Sequence, residues 1–341
     1  MTLAYVTHPM MAHEVGSGVD LYERHEVVRD LYRQVTDWTG IDVERLLREG
    51  PEAELAAVAP VCQALLSLAV HDVLASLGIR PQVLAGMSLG NVVGACMAGA
   101  IDRRELFVYL AETSAPQQML PRVPGREAFP DGDGRGGEAS TVIMLAIPFD
   151  RDPAEYALEA GGGALHLVSD MGPADPGLTL RRVCFGGLRS DVDKYLAQLP
   201  QDQQPFAVTD VPLTPHSPLR QAYVDEVIDP LLAGMTFSDP ERPVVSCLDR
   251  TTLTTGEEVR TLLRENHLRA ASLPLISDGL ERHGVSAYFV VGPSIAGRYA
   301  KQHTESKKAG EIPMIPVENL EQLQAAIEAL YELNVDLGVA A

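Results

Sequence analysis

Gln82-Val83-Leu84-Ala85-Gly86-Met87-Ser88-Leu89-Gly90-Asn91-Val92-Val93-Gly94-Ala95-Cys96 is the stretch that decides the fold. Gln82 to Ala85 read as a short strand, and the small residues from about Asn91 to Ala100 read as a helix. Between them, Gly86-Met87-Ser88-Leu89-Gly90 fits G-x-S-x-G in the strand-turn-helix setting that this motif requires. A turn this sharp strains the serine backbone, and small flanking residues let strand and helix pass closely. It also places Ser88 at a helix N-terminus, where N–H groups and the macrodipole favour developing negative charge. The Leu89 N–H is then a natural oxyanion donor. The bare pentapeptide also arises by chance, so its context carries the weight.

Before this unit, Leu3 to Val6 read as a buried strand. Val28, Leu31, Tyr32 and Val35 mark an amphipathic helix, and an apolar helix from about Val61 to Leu77 stops at Gly78. After it come a helix from Arg103 to about Thr113 and a stretch rich in Gly, Pro and charge, Pro121 to Gly137, that reads as a mobile loop or linker. The next elements form a β-α-β-β-α-β order: strand Thr141–Pro148, helix Pro153–Ala160, strands Ala164–Val168 and Thr179–Phe185, helix Ser190–Leu199 and strand Pro205–Thr209. That is the ferredoxin-like plan, with Ser169 to Gly177 as the central turn. Beyond it follow a helix near Gln221–Leu232, a strand at Pro243–Leu248, helices at Glu257–Leu268 and Leu273–His283, a strand at Ser286–Val291, and a closing helix Leu320–Leu333 capped by Asn319. The expected fold class is therefore α/β, with residues 1–138 and 211–341 forming a large subdomain and 139–210 a small inserted one.

The 341 residues carry a formal charge of −20 and contain no Lys/Arg-rich run, which speaks against nucleic acid or an anionic membrane as partner. Cys62, Cys96, Cys184 and Cys247 lie far apart, with no C-x-x-C pair and no His at ligand spacing; a reducing compartment and no metal are expected. With no signal-like N-terminus and no run approaching 18 apolar residues, a cytoplasmic protein is expected. Gly161-Gly162-Gly163 follows a helix and reads as its stop, so no bound nucleotide cofactor is indicated.

A nucleophilic serine needs a base. Among the nine histidines, His71, His267 and His283 fall in expected helices and His25 on a helical surface. His216 lies instead in the irregular Leu213-Thr214-Pro215-His216-Ser217-Pro218, where Pro215 stiffens a loop suited to presenting a side chain.

Together, GMSLG, EGPEAELAAVAPVCQALLSLAV (Glu49 to Val70), AGAIDRRELF, the inserted β-α-β-β-α-β unit, PHSPL and VGPS (Val291 to Ser294) resemble the malonyl-CoA:acyl-carrier-protein transacylases and polyketide-synthase acyltransferase domains over nearly the whole chain. The resemblance implies a hydrolase-like α/β core with a ferredoxin-like subdomain and an active site in the gorge between them. It implies Ser88 as the acylated nucleophile and His216 as its base, held by a main-chain carbonyl at Asn266 rather than by an aspartate. Met10, or a neighbour in Thr7–Met11, would supply the second oxyanion N–H beside Leu89. Ping-pong transfer follows, with a carrier-protein phosphopantetheine arm or CoA as substrate and no bound cofactor.

Four departures from the family pattern bear on the substrate. Thr7-His8-Pro9-Met10-Met11 replaces G-Q-G-S-Q, and Met87 replaces the elbow histidine. Thr113 stands where malonyl-transferring members carry an arginine, and Leu213-Thr214-Pro215-His216 matches neither the malonyl nor the methylmalonyl string. A threonine cannot neutralise a buried carboxylate, and leaving one unpaired costs several kcal/mol. A neutral acyl group is therefore expected, with aminoacyl or dipeptidyl groups among the candidates; Thr113 lining a smaller acetyl pocket is the competing reading. An editing acyl-thioester hydrolase and a catalytically silent carrier-protein-binding scaffold remain alternatives on the same residues.

Pro215, Gln118 and Cys62 are further pocket candidates, with Cys62-Gln63 falling where the family has a gorge-lining glutamine. Carrier proteins are acidic, so an acidic chain needs a local basic patch to bind one. The candidates are Arg181, Arg182 and Arg189 in the inserted unit and Arg269, Arg298 and Lys301 elsewhere.

Overall fold

Leu3 to Val6 are all buried, as expected of a central parallel strand whose two faces are both covered. The computed structural model describes residues 2–10, 15–114, 139–175, 177–200, 203–293 and 312–332. These divide into two compact units. One holds the described residues of 2–114, 235–260 and 276–332, and the other those of 139–234 and 261–275.

In the first unit, β1 (Thr2–Thr7) is followed by helices α1 (Val19–Arg24), α2 (Glu26–Thr39), α3 (Val43–Glu49), α4 (Glu52–Ala57) and α5 (Ala59–Ser76). Then come β2 (Val83–Gly86), α6 (Leu89–Met97) and α7 (Arg103–Ser114). The α5 helix is long and apolar enough to cross a membrane, yet 72% of it is buried inside the protein, which marks it as a core helix. Its Leu65, Leu66 and Leu68 are fully buried, each stabilising the fold by about 1.5–3 kcal/mol. Arg103 grips Asp72 with two bonds of 2.6 Å and so ties α7 to α5.

The second unit contains β3 (Ser140–Pro148), α8 (Pro153–Gly161), β4 (His166–Pro173), β5 (Leu180–Leu188), α9 (Arg189–Leu196) and β6 (Ala207–Val211). Their sheet order β6-β3-β5-β4, antiparallel throughout, is the ferredoxin-like arrangement. Ile143, Leu145, Ile147, Val183 and Phe185 on one sheet face pack with Ala157 of α8 and Val192 and Tyr195 of α9. Asp152 caps α8 through the N–H groups of Ala154 and Glu155, and left-handed Gly162 ends it.

The chain continues through a 3-10 turn (Pro218–Arg220), α10 (Gln221–Tyr223), a π-helical stretch (Val224–Ile228) and α11 (Asp229–Ala233). Where one continuous helix is expected, the wide turn falls just ahead of Pro230, which has no N–H to donate. Next are β7 (Val244–Val245), β8 (Thr252–Leu253), α12 (Gly256–Glu265), β9 (Ala271–Ser272), α13 (Leu273–Arg282), β10 (Val285–Val291), β11 (Met314–Val317) and α14 (Leu320–Glu332). The first unit's sheet runs β11-β10-β1-β2-β7-β8, parallel except for the β7–β8 pair. The Asn319 side chain accepts from Gln322 N and so caps α14.

Several boundaries differ from the sequence reading. The strand expected over Pro243–Leu248 shrinks to β7, because Ser246 Oγ accepts from the N–H groups of Leu248 and Asp249 and turns the chain back. Ser169 to Pro173 extend β4 rather than starting the turn, through two register shifts. The second unit is larger than residues 139–210: β9 adds to β4 in parallel, and Thr214 Oγ1 donates to Gly187 O, binding the later segments to this sheet. The Gly/Pro-rich stretch Pro121 to Gly137 and the expected helix end Leu333 lie outside the described residues.

Candidate active site

Ser88 follows the C-terminal end of β2 and precedes α6, with φ 56° and ψ −120°. A non-glycine residue at positive φ is uncommon and strained. Among the described residues only Ser88, Leu178 and His216 adopt it, so two of the three are the residues the sequence singled out for chemistry. The glycines have a measurable steric role. A Cβ on Gly86 would lie 2.3 Å from Gly90 C, and one on Gly90 would lie 2.0 Å from Thr7 O. Thr7 closes the packing from β1: its Oγ1 donates to Gly90 O at 2.5 Å, and its carbonyl accepts from Met87 N at 3.0 Å. Met87 is buried under the turn.

Met10 lies just past β1 and is 58% exposed. The chain leading to it is held by Gln63, whose Nε2 donates to the carbonyls of His8 and Pro9 at 2.8 and 2.7 Å. Gln63 and not Cys62 is thus the polar residue of α5 at this end of the sheet. Adjacent helix residues point about 100° apart, and Cys62 is turned into the core near Tyr32 of α2. Burial pushes its thiol up to about 12, so Cys62 is neither an open pocket residue nor a reactive thiol. Asn91, which no sequence motif marked, is fully buried; its amide donates to Val245 O and accepts from Cys247 N, locking α6 to the chain around β7. Thr113 lies in the last turn of α7, which carries no basic residue, and its hydroxyl donates to Tyr109 O at 2.8 Å.

His216 belongs to the second unit and is strained at φ 54°. Its loop is anchored at both flanks. Thr214 and Ser217 are fully buried, Ser217 Oγ donates to Thr214 O, and Ser217 N donates to His267 O. Pro215 between them is half-buried. Burial, and next the charge of Arg220, push the His216 imidazole down to about 4; hydrogen bonds to main-chain groups of Asn266 and Arg269 act in the opposite direction. Bonds that favour the protonated ring are bonds to acceptors, so these are carbonyls. At neutral pH the ring is uncharged and able to take a proton.

The arginines of the inserted unit differ in availability. Arg181 is mostly covered, lies 3.5 Å from Asp170 and stacks over Phe149. Arg189 pairs with Asp210 at 2.7 Å and approaches Asp193. Both are thus close to carboxylates of their own unit. Arg182 stacks over the ring of exposed Phe206, and Arg269 is exposed. Gln118, Arg298, Lys301, Met11 and Ser294 lie outside the described residues. Among the described residues no cluster of His, Cys, Asp or Glu could hold a metal ion.

A serine on a strained elbow at the carboxyl end of a parallel strand has the geometry of a nucleophile elbow in an α/β protein. No family model matches the chain. It is 26% identical over 296 residues to a malonyl CoA-acyl carrier protein transacylase of Escherichia coli K12, covering 85% of this chain and 88% of that one. It is 25% identical over 281 residues to polyketide synthase GfsA of Streptomyces halstedii, covering 80% of this chain and 3% of that one. Among solved structures, an acyl-carrier-protein S-malonyltransferase of Bartonella henselae superposes with a TM-score of 0.78 at 20% identity, over 98% of this chain and all of that one. A malonyl-transacylase solved with its type II polyketide synthase acyl-carrier protein gives 0.76 at 20% identity, over 96% and 100%. Over most of its length the chain is thus similar to malonyl CoA-acyl carrier protein transacylases and to a polyketide synthase, and it shares the fold of the solved S-malonyltransferases.

Proposed function

We propose that this protein is an acyltransferase that moves a neutral acyl group between phosphopantetheine thioesters of carrier proteins, through an ester on Ser88. Ser88 Oγ attacks the thioester carbonyl while His216 takes its proton, and the N–H groups of Leu89 and Met10 receive the oxyanion. The C–S bond breaks and His216 returns the proton to the departing thiol. A second carrier thiol then attacks the ester, its proton passing through His216 back to Ser88. The backbone strain at both Ser88 and His216 is the observation that carries the assignment, since strain of this kind persists where function over-determines it. The main-chain carbonyls of Asn266 and Arg269 hold the imidazole in place of a carboxylate.

The neutral acyl group rests on Thr113. Its hydroxyl brings no positive charge, the last turn of α7 holds no basic side chain, and Arg103 of the same helix is occupied by Asp72. A free malonyl carboxylate near Thr113 would find no basic partner in that turn; the helix's other arginine, exposed Arg104, lies in its first turn. Aminoacyl and dipeptidyl groups fit this requirement, as does acetyl. The carrier protein itself would meet basic side chains of the second unit, among them Arg182 and exposed Arg269. The four free thiols accord with a cytoplasmic setting. Intact-mass spectrometry of wild type and Ser88→Ala with malonyl, acetyl and aminoacyl thioesters tests the reading. Adducts on Ser88 from the neutral thioesters alone are expected, and a stable malonyl adduct on Ser88 removes the Thr113 argument. Decay of the adduct to free acid despite a carrier thiol would make the enzyme a hydrolase, and no adduct from any thioester would leave a silent scaffold.

A further inference from the structure

Arg220 ends the 3-10 turn that follows the His216 loop, and its side chain folds back over that loop. One arm, Nη2, donates to Leu213 O at 3.2 Å; the other, Nη1, lies 3.4 Å from His267 Nδ1. A guanidinium has only donors, so His267 Nδ1 is the lone-pair nitrogen and its ring is neutral, with the proton on Nε2. Burial and then Arg220 push that ring down to about 3, in the same sense. Tyr223 completes the cluster: its ring lies 5.6 Å from the guanidinium carbon and meets the His267 ring edge-on at 5.9 Å. The two arms therefore span two chain segments, 213–217 and 266–269. These are the segments whose register decides whether the Asn266 and Arg269 carbonyls reach the His216 imidazole, and Ser217 N bonding to His267 O is the main-chain stitch between them.

We propose that Arg220 is a positioning residue for His216, its fork clasping the segment that carries the imidazole to the segment that supplies its carbonyl acceptors. This rests on the assignment of His216 as the base. The fork also holds a permanent positive charge near the ring, which disfavours the imidazolium. That keeps the base unprotonated between turnovers and makes the imidazolium, once formed, a better acid toward the leaving thiolate. The titratable and charged groups around the cluster are His216, His267, Tyr223 and Arg269. Nearby Arg264 is engaged with Asp229, Glu265 and Asp225.

The test measures the rate of Ser88 acylation by a small neutral thioester across pH for wild type, Arg220→Lys, Arg220→Met and His216→Ala. Lysine keeps the charge but cannot fork; it is expected to lower the maximal rate about tenfold or more, as losing a charged hydrogen bond does, with the acid limb of the profile unmoved. Methionine is expected to lower the rate similarly and to move the acid limb to higher pH. KM for the small thioester should stay unchanged in both. Wild-type rates and an unmoved limb in both variants overturn the proposal, and if the methionine variant does not fold, a wild-type rate in the lysine variant alone overturns it. If His216→Ala acylates as fast as wild type, the base assignment itself fails. If that variant is inactive while the Arg220 variants are unaffected, only the clasp fails.

Discussion

Replacing Gly90 by alanine should damage both the elbow and its chemistry, whereas the same change at Gly94, one helical turn on, should not. A Cβ at Gly90 would meet three backbone atoms, Thr7 O at 2.0 Å, Thr7 C at 2.5 Å and His8 O at 2.7 Å, and no rotamer change can relieve a backbone clash. The helix must back away from β1 by more than an ångström, which breaks the Thr7 Oγ1–Gly90 O bond and strains the Met87 N–Thr7 O bond. Overpacking of this kind costs about 1–3 kcal/mol, and two buried hydrogen bonds add about 1–3 more, a large part of a domain's net stability. A shift of about 1 Å at a reacting atom can cost roughly a hundredfold in rate. At Gly94 the nearest atom to an added Cβ is Ala85 O at 3.6 Å, an ordinary contact, and alanine is the better helix former. Urea denaturation and the rate of Ser88 acylation, followed by intact mass, would be measured for both variants. The reasoning is refuted if Gly90→Ala matches wild type in midpoint and rate, or if Gly94→Ala is the more damaging of the two.

Other consequences can be measured in the same way. Because His216 is pushed down to about 4, acylation should persist well below pH 6.5 and fall only as pH approaches about 4; a pH–rate profile with a limb near 6.5 would contradict this. Both His216 and His267 bind protons more readily unfolded than folded, so stability should be fullest above pH 6.5 and decline as pH falls toward about 4, as urea midpoints across pH would show. Asn91→Ala removes the buried bonds to Val245 O and Cys247 N and should destabilise the protein by about 2–4 kcal/mol in denaturant unfolding. Thr113→Arg should confer acylation of Ser88 by malonyl thioester; an unchanged adduct profile by mass spectrometry would remove position 113 from acyl selection.

Much of the scaffold was legible because it is written in local patterns. Leu3 to Val6 announce a strand buried on both faces, and the β-α-β-β-α-β order follows from two periods and the turn residues between them. Gly86 and Gly90 around Ser88 mark an elbow through sterics that belong to the pentapeptide and its flanking strand. The small strands were illegible for the opposite reason. β8 and β9 have two residues each and β11 has four, none with a period to read, so they exist only through their partners, and β7 keeps only two of the residues expected over Pro243–Leu248.

By itself, then, the sequence determined where a strained serine would sit, which histidine occupied an irregular loop, and that no arginine stands at position 113. Only the tertiary structure decided which side chains serve those positions. It aimed buried Gln63 at the chain before Met10 and buried Cys62 at Tyr32, a choice set by one helical rotation of about 100°. It paired Arg181 and Arg189 with Asp170 and Asp210, carboxylates that only sheet register or strand packing brings near. It also brought Asn266, His267 and Arg269 to the His216 loop. These residues lie about fifty positions further along the chain, and folding alone makes them its neighbours.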